Sequence, residues 1–283
     1  MNNEMQSVKK TYIDVEHVVK MKAPSLGKKI PSFLYSLLKR IIHQDDLNHV
    51  LISNEGKIGL EFADAVIKDL SGGIEIRGLD KIPLDGRYIF ASNHPLGGLD
   101  GIALLSALGS HFGNDVRFVV NDLLMHVKPL APLFIPINKH GAQSKDHLSS
   151  LNEALESNLQ LAIFPAGLVS RLHDDGKVVD LDWKKAFVAQ AIKNKRDVIP
   201  VYFEAENSKF FYKFSYWRKK MNIKVNIDML FLPRELFNKH NQKFIIHFGD
   251  PISYKDLESE RSHKQWADEI KKRIYAKHYR SRR

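Results

Sequence analysis

The stretch Arg87 to Leu108, RYIFASNHPLGGLDGIALLSAL, places a histidine and a carboxylate at one loop. His94 is a candidate general base, because an imidazole titrates near neutral pH and can take a proton from a hydroxyl. Asp100 is suited to hold the imidazole tautomer and to stabilise the imidazolium that forms. The same residues also admit plainer roles. Asp100 is a good helix N-cap, Gly97 and Gly98 are ordinary loop residues, and His94 fits a half-buried loop histidine. Ser92 lies beside His94 but lacks the G-x-S-x-G elbow of a hydrolase nucleophile.

Two further loops carry reactive residue types. One is Ile137-Asn138-Lys139, with Gly141 just after. The other is Phe164-Pro165-Ala166-Gly167, with Arg171 four residues on. Their plain readings are a surface lysine, a simple turn, and an arginine paired in solvent with Asp174 or Asp175, where an ion pair contributes only about 0–1 kcal/mol.

Such groups act together only if rigid elements deliver them. Apolar density and spacing predict strands at Ile74–Arg77, Tyr88–Ala91, Val116–Val120, Phe134–Ile137, Leu161–Phe164, Val198–Phe203 and Lys243–Phe248. Helices are expected at 31–43, 47–70, 101–108, 121–127, 143–159, 183–193 and 265–277, with residues 1 to about 20 irregular. Ile223 to Leu230 alternates like a strand between helical flanks. Strands alternating with helices argue for an α/β fold: a mixed, largely parallel sheet flanked by helices, preceded by an N-terminal helical extension. In such folds the loops that follow strand ends hold the ligand. The expected division is an extension over 1–72, able to touch a membrane surface, and a main domain over 73–283 with a basic C-terminal helix and tail.

Composition narrows the class. The 283 residues contain no cysteine, which excludes disulfides, thiolate metal ligands and thiol nucleophiles. The N-terminal MNNEMQSVKKTYIDVE holds no apolar core for a secretory signal, and no apolar run is long enough for a transmembrane helix. The net charge of +10 and a pI near 9.5 suit anionic lipid, an acidic carrier protein or nucleic acid. No zinc finger or aromatic RNA-binding pattern accompanies that charge, so nucleic acid is not an expected partner. Phe33, Leu34, Leu37, Leu38, Ile41 and Ile42 share one helical face with Lys39, Arg40 and His43 between them. This reads either as core packing or as an amphipathic helix lying on a membrane.

The order Asn93-His94…Asp100, Ile137-Asn138-Lys139, Phe164-Pro165-x-Gly167…Arg171 and Val198-Ile199-Pro200-Val201 resembles the four blocks of the glycerolipid (lysophosphatidate-type) acyltransferase family. NHPLGGLDG at 93–101, FPAG at 164–167, VDLDW at 179–183 and LPRELFNK at 232–239 are most similar to its bacterial haemolysin-labelled branch. That branch includes aminolipid O-acyltransferases. The likeness spans roughly residues 74 to 255. It implies acyl transfer from an acyl thioester, acyl carrier protein or acyl-CoA, to a lysolipid hydroxyl by a peripheral protein at the cytoplasmic face of the inner membrane. It implies His94 and Asp100 as catalytic residues, with Asn93, Asn138, Lys139, Phe164, Pro165, Gly167 and Arg171 as substrate-binding residues. Lys139 and Arg171 would take acidic groups, and backbone N–H groups near Pro165 to Leu168 would bind the oxyanion. No metal or other cofactor is implied. Two departures stand out. Five residues separate His94 from Asp100 where the family has four, and Ala166 replaces a glutamate that helps place a phosphate-bearing acceptor. The second favours a different headgroup. Alternative readings are a lipid hydrolase using Ser92 or an activated water, and a non-enzymatic membrane-binding, haemolysin-like protein.

Overall fold

A computed structural model describes residues 12–22, 24–137, 145–259 and 261–279. The chain opens with helices α1 (Val15–Lys22), α2 (Pro24–Gly27), α3 (Ser32–Ile41), α4 (Gln44–Ser53) and α5 (Leu60–Leu70). α1 falls where the composition predicts irregular chain. Asp14 Oδ1 caps it by accepting from His17 N at 3.2 Å, and Glu16 pairs with Lys20 one turn on at 2.7 Å. The single helix expected over 47–70 is instead α4 and α5. Gly56 and Gly59 between them take φ of +88° and +63°, a backbone that ends a helix and favours glycine.

The strands follow as β1 (Ile74–Arg77), β2 (Tyr88–Ser92), β3 (Val116–Asn121), β4 (Phe134–Ile137), β5 (Gln160–Ile163), the short antiparallel hairpin β6 (Arg171–Leu172) and β7 (Val178–Val179), β8 (Asp197–Glu204) and β9 (Phe244–Phe248). Seven of them form one sheet in the order β1-β9-β8-β2-β5-β3-β4. Five of these run parallel, while β9 is antiparallel to β8 and parallel to β1. The remaining helices are α6 (Gly98–Phe112), α7 (Lys145–Glu156), α8 (Ala186–Lys193), α9 (Lys209–Lys220), α10 (Leu232–Phe237), α11 (Tyr254–Leu257) and α12 (His263–Tyr279).

β2 is buried along its whole length, as a central parallel strand covered on both faces must be. Its side chains alternate. Phe90 joins Phe62 and Val66 of α5 and Leu104 and Leu108 of α6. Ile89 and Ala91 join Leu155 of α7, Val188 of α8 and Ile270 of α12. Packing therefore crosses the boundary expected at residue 72, because α5 forms part of the main core. α3 behaves differently. Only its Tyr35 is buried, Leu38 and Ile41 are half-buried, and Phe33, Leu34 and Leu37 face outward, so the first part of its apolar stripe is not core. No helix among the described residues is long and apolar enough to cross a membrane.

One buried cation ties the layers together. Arg196 donates to the carbonyls of Leu155 (2.8 Å), Ala154 (2.9 Å), Ser157 (2.6 Å) and Leu159 (2.7 Å), satisfying the C-terminal carbonyls of α7. Burial lowers its pKa to about 10, which leaves it protonated at neutral pH. The segment expected to be a strand at Ile223–Leu230 pairs with no sheet. Arg218 Nη1 instead takes the carbonyls of Ile223 (2.7 Å) and Val225 (2.9 Å), and the chain then enters a 3-10 turn at Ile227–Phe231. The 121–127 helix is likewise a 3-10 turn, Asp122–His126.

Candidate active site

β2 delivers Asn93 and His94 to the C-terminal edge of the parallel strands, where α/β folds place their chemistry. Asn93 is buried, and both ends of its amide are occupied. Its Nδ2 donates to Phe203 O at 3.0 Å, and Phe203 N donates to its Oδ1 at 2.6 Å. It is a strut between the loop and β8, with no polar atom left for a substrate. Ser92 is also buried and donates its hydroxyl to Asn93 O at 2.9 Å, away from any nucleophilic role.

His94 Nδ1 lies 3.1 Å from Asp100 Oδ2 and 3.2 Å from Oδ1. A carboxylate only accepts, so this contact places the ring proton on Nδ1 and the lone pair on Nε2. Nε2 has no protein partner among the described residues. The ring face stacks on Phe164 at a 3.8 Å centroid distance and 15° between planes. Asp100 is wholly buried and His94 keeps 16% of its side chain exposed. The ring is thus held on one edge and one face, and among the described residues its Nε2 is left to meet solvent.

The longer spacing to Asp100 is absorbed at Gly97, whose φ of +105° admits no ordinary side chain. Gly97 is the N-cap of α6 and Asp100 is its third residue, not the N-cap its type suggests. The carboxylate reaches back to accept from Leu96 N (2.8 Å) and Gly97 N (3.3 Å). It therefore serves the helix terminus and the imidazole together.

The backbone of His94 is anchored from the far side of the hairpin. Asp180 Oδ1 accepts from His94 N at 3.2 Å and from Ser170 Oγ at 2.6 Å, and Oδ2 accepts from Trp183 Nε1 at 2.8 Å. Ser170 N in turn donates to His94 O at 2.7 Å. Burial pushes the Asp180 carboxyl up from its ordinary range, while the three donors pull it down. Tyr275 and Lys271 of α12 fasten Asp180 from behind, through Asp180 N to Tyr275 Oη at 2.9 Å and Lys271 Nζ to Asp180 O at 2.8 Å. Asp180 lies in the VDLDW run at 179–183, which by itself gave it no role, and Ser170 belongs to no motif. The available signal was a carboxylate embedded between Val179, Leu181 and Trp183, a pattern that calls for a buried, hydrogen-bonded acid.

The other expected site residues are placed as follows. Phe164 supports the imidazole. Pro165 is buried and its carbonyl accepts from Lys184 N at 3.1 Å. Gly167, at φ +66°, closes the turn by donating to Phe164 O at 3.0 Å, so its N–H is engaged. Pro165 has no N–H, and the N–H groups of Ala166 and Leu168 have no acceptor among the described residues. The Lys184 ammonium sits beside this turn, 3.6 Å from where a Cβ on Gly167 would stand. Arg171 is not an open cation, nor does it pair with Asp174 or Asp175. It is buried, with Nη2 2.7 Å from Asp228 Oδ2, and Asp228 also holds Arg218 Nε at 2.9 Å. Burial lowers the Arg171 pKa, and Asp228 opposes that shift. Asn138 and Lys139 lie outside the described residues.

A positioned imidazole with a free Nε2, beside a glycine turn offering N–H groups, can take a proton from a hydroxyl and stabilise a tetrahedral oxyanion. A family model described as acyltransferase matches residues 17–280. A lyso-glycine lipid O-acyltransferase of Bacteroides thetaiotaomicron is 43% identical over 263 residues, covering 93% of this chain and 96% of its own. The Phocaeicola vulgatus protein of the same name is also 43% identical, covering 93% and 94%. Among solved structures, a 1-acyl-sn-glycerophosphate acyltransferase from Thermotoga maritima superposes with a TM-score of 0.48 at 18% identity, covering 87% of this chain and 96% of its own.

Proposed function

The chain belongs to the acyltransferase family, and from that premise we propose that it moves an acyl group from an acyl thioester to the hydroxyl of a lyso-glycine lipid, with His94 as general base. The observation that carries this reading is the His94 imidazole itself, oriented by Asp100, backed by Phe164 and free at Nε2.

In the proposed reaction Nε2 takes the acceptor hydroxyl proton as that oxygen attacks the thioester carbonyl. Asp100 stabilises the imidazolium. The oxyanion is met by the N–H groups of Ala166 and Leu168, each worth about 2.7–4 kcal/mol if aimed correctly. Collapse breaks the C–S bond, and the leaving thiolate recovers the proton from His94. The products are an ester and a free thiol, with the thiol remaining on acyl carrier protein or CoA. The reaction as written needs no metal or other cofactor. Ala166 in place of an acidic residue, with Lys184 beside it, favours an acceptor whose headgroup bears a carboxylate. The lipid is reached peripherally at the cytoplasmic face of the inner membrane, with the outward-facing Phe33, Leu34 and Leu37 of α3 lying in the interface.

Incubation with acyl carrier protein or CoA thioesters and lyso-glycine lipid tests this. Formation of diacylated lipid, lost in a folded His94→Ala variant, is expected. Release of free fatty acid without diacylated product would make the protein a hydrolase, and a fully active His94→Ala variant would remove the base assignment.

A further inference from the structure

The alternating stretch around Ile223 that pairs with no strand leaves a surface unexplained by folding. Residues 219–227 are exposed without a break. Met221 is 64% and Val225 68% exposed, and Ile223 and Ile227 are also open to solvent. Helix α9 leads into this stretch with a stripe of its own, Phe210, Phe214, Trp217 and Met221 at helical spacing, Trp217 being 61% exposed. The opposite face, Phe211, Ser215 and Arg218, is the one that packs inward. α9 carries Lys209, Lys213, Arg218, Lys219 and Lys220 and no acidic residue, and Lys224 follows in the loop.

This outward presentation is built. Asp228, wholly buried, clamps Arg218 and Arg171 together, and Arg218 holds the carbonyls of Ile223 and Val225. The loop cannot fold its apolar side chains inward without breaking that group. The clamp also ties the loop to β6, one residue from Ser170 and its bond to His94 O. A cleft of about 340 Å³, lined among others by Leu168, Leu172, Leu181 and Ile223, opens between the loop and the turn beside the base.

We propose that Trp217, Met221, Ile223 and Val225, with Lys219 and Lys224 around them, form a second membrane-contact element that enters an anionic lipid surface next to the catalytic loop. This rests on the membrane reading given above and adds to it a surface separate from α3. Apolar side chains interleaved with lysines match a bilayer interface, where stems lie among acyl chains and ammonium groups meet lipid phosphates; the carboxylate beside them, Asp174, is paired with Lys220 at 3.0 Å, which leaves Lys219 and Lys224 as the cations of the proposed contact. Trp217 and Tyr216 suit the same boundary. A second copy of the chain fits poorly, because a two-fold contact would press lysines against lysines. α10 links the two lipid-facing elements to the site. Phe237 stacks on His43 just after α3, and Leu232 and Leu236 pack beside Gly97 and Gly98. Two attachments on either side of α10 present the loop of His94 to the membrane, and their joint effect exceeds either alone.

The chain supplies its own probe. Of its three tryptophans, Trp183 and Trp266 are buried, so a change in emission on binding reports Trp217. The full-length protein is titrated with vesicles of phosphatidylglycerol in phosphatidylcholine, with and without brominated acyl chains, and sedimentation is followed in parallel. Emission is expected to shift to the blue and to be quenched by the brominated lipid as the protein sediments. Lys219→Glu with Lys224→Glu should weaken binding roughly tenfold or more, with an unchanged thermal melt. Sedimentation with vesicles while emission stays unshifted and unquenched would overturn this inference and leave the α3 attachment standing. No sedimentation with any vesicle would remove the membrane reading itself. An emission change produced by acyl carrier protein but not by lipid would assign the surface to the donor, and one produced by raising the protein concentration alone would assign it to self-association. Either result overturns the proposal.

Discussion

Asp180→Asn tests whether the loop of His94 is positioned from behind. Oδ1 accepts from His94 N and Ser170 Oγ, and Oδ2 accepts from Trp183 Nε1. An asparagine offers one acceptor oxygen and one NH2. If the oxygen faces Trp183, the NH2 meets the His94 N–H, and only the Ser170 hydroxyl can reverse to accept. If the oxygen faces His94, the NH2 meets the indole N–H, which can only donate. Either orientation leaves one buried donor unpaired, at about 1–3 kcal/mol. At about 2–3 °C per kcal/mol for a chain of this size, Tm should fall by roughly 2–9 °C. Asp180→Ala orphans the His94 N–H and the Trp183 indole N–H, while Ser170 Oγ keeps His94 O at 3.3 Å, and should cost about 2–6 kcal/mol, a large share of the whole stability of many domains. The His94 backbone loses its anchor in the first orientation, and a displacement of about 1 Å at a catalytic group can lower the rate about 100-fold. The readouts are thermal denaturation and steady-state acyl transfer, with kcat expected to fall and KM to stay near the parent value. A variant with lowered Tm and unchanged kcat would show that Asp180 is only a core strut. One with both unchanged would refute the hydrogen-bond reasoning altogether.

Replacing His94 with Ala should lower the rate of acyl transfer by about 10²–10⁴-fold while leaving the circular dichroism spectrum intact, since the backbone bonds to Asp180 and Ser170 that anchor the loop are kept. Gly97→Ala forces φ of +105° on an alanine and sets its Cβ 3.1 Å from Leu232 Cδ1, so a loss of about 1–3 kcal/mol is expected by chemical denaturation. Arg196→Met leaves several carbonyls at the end of α7 without donors and should cost more than about 3 kcal/mol, read as a large drop in Tm. Arg196→Lys should rescue little of it, because one ammonium cannot span four carbonyls.

Much of the architecture was legible because it rests on local patterns. Apolar density marked every strand of the main sheet, and alternation with helices implied a largely parallel order. The pairing of His94 with Asp100 was legible as well, since both residues lie on one short loop and Gly97 can absorb the longer spacing. What depends on contacts across the chain was not. Asn93 looked like a loop residue until Phe203, distant in sequence, took both ends of its amide. Arg171 looked like a free cation until folding brought Asp228 to it. Ile223–Leu230 alternates as a strand does, but alternation specifies a strand only where a sheet edge is free to pair with it, and Arg218 claims those carbonyls instead. α3 is amphipathic by sequence, and only packing decided that Phe33, Leu34 and Leu37 of its apolar stripe face outward. The sequence by itself determined that an imidazole and a carboxylate lie within six positions of each other, and the elements that carry them, because side-chain chemistry and periodicity are local properties. Tertiary structure alone decided which charges are spent on the fold, which remain open to a ligand, and that a buried aspartate far along the chain holds the backbone of His94 in place. Burial and hydrogen-bond pairing are set by the whole chain at once.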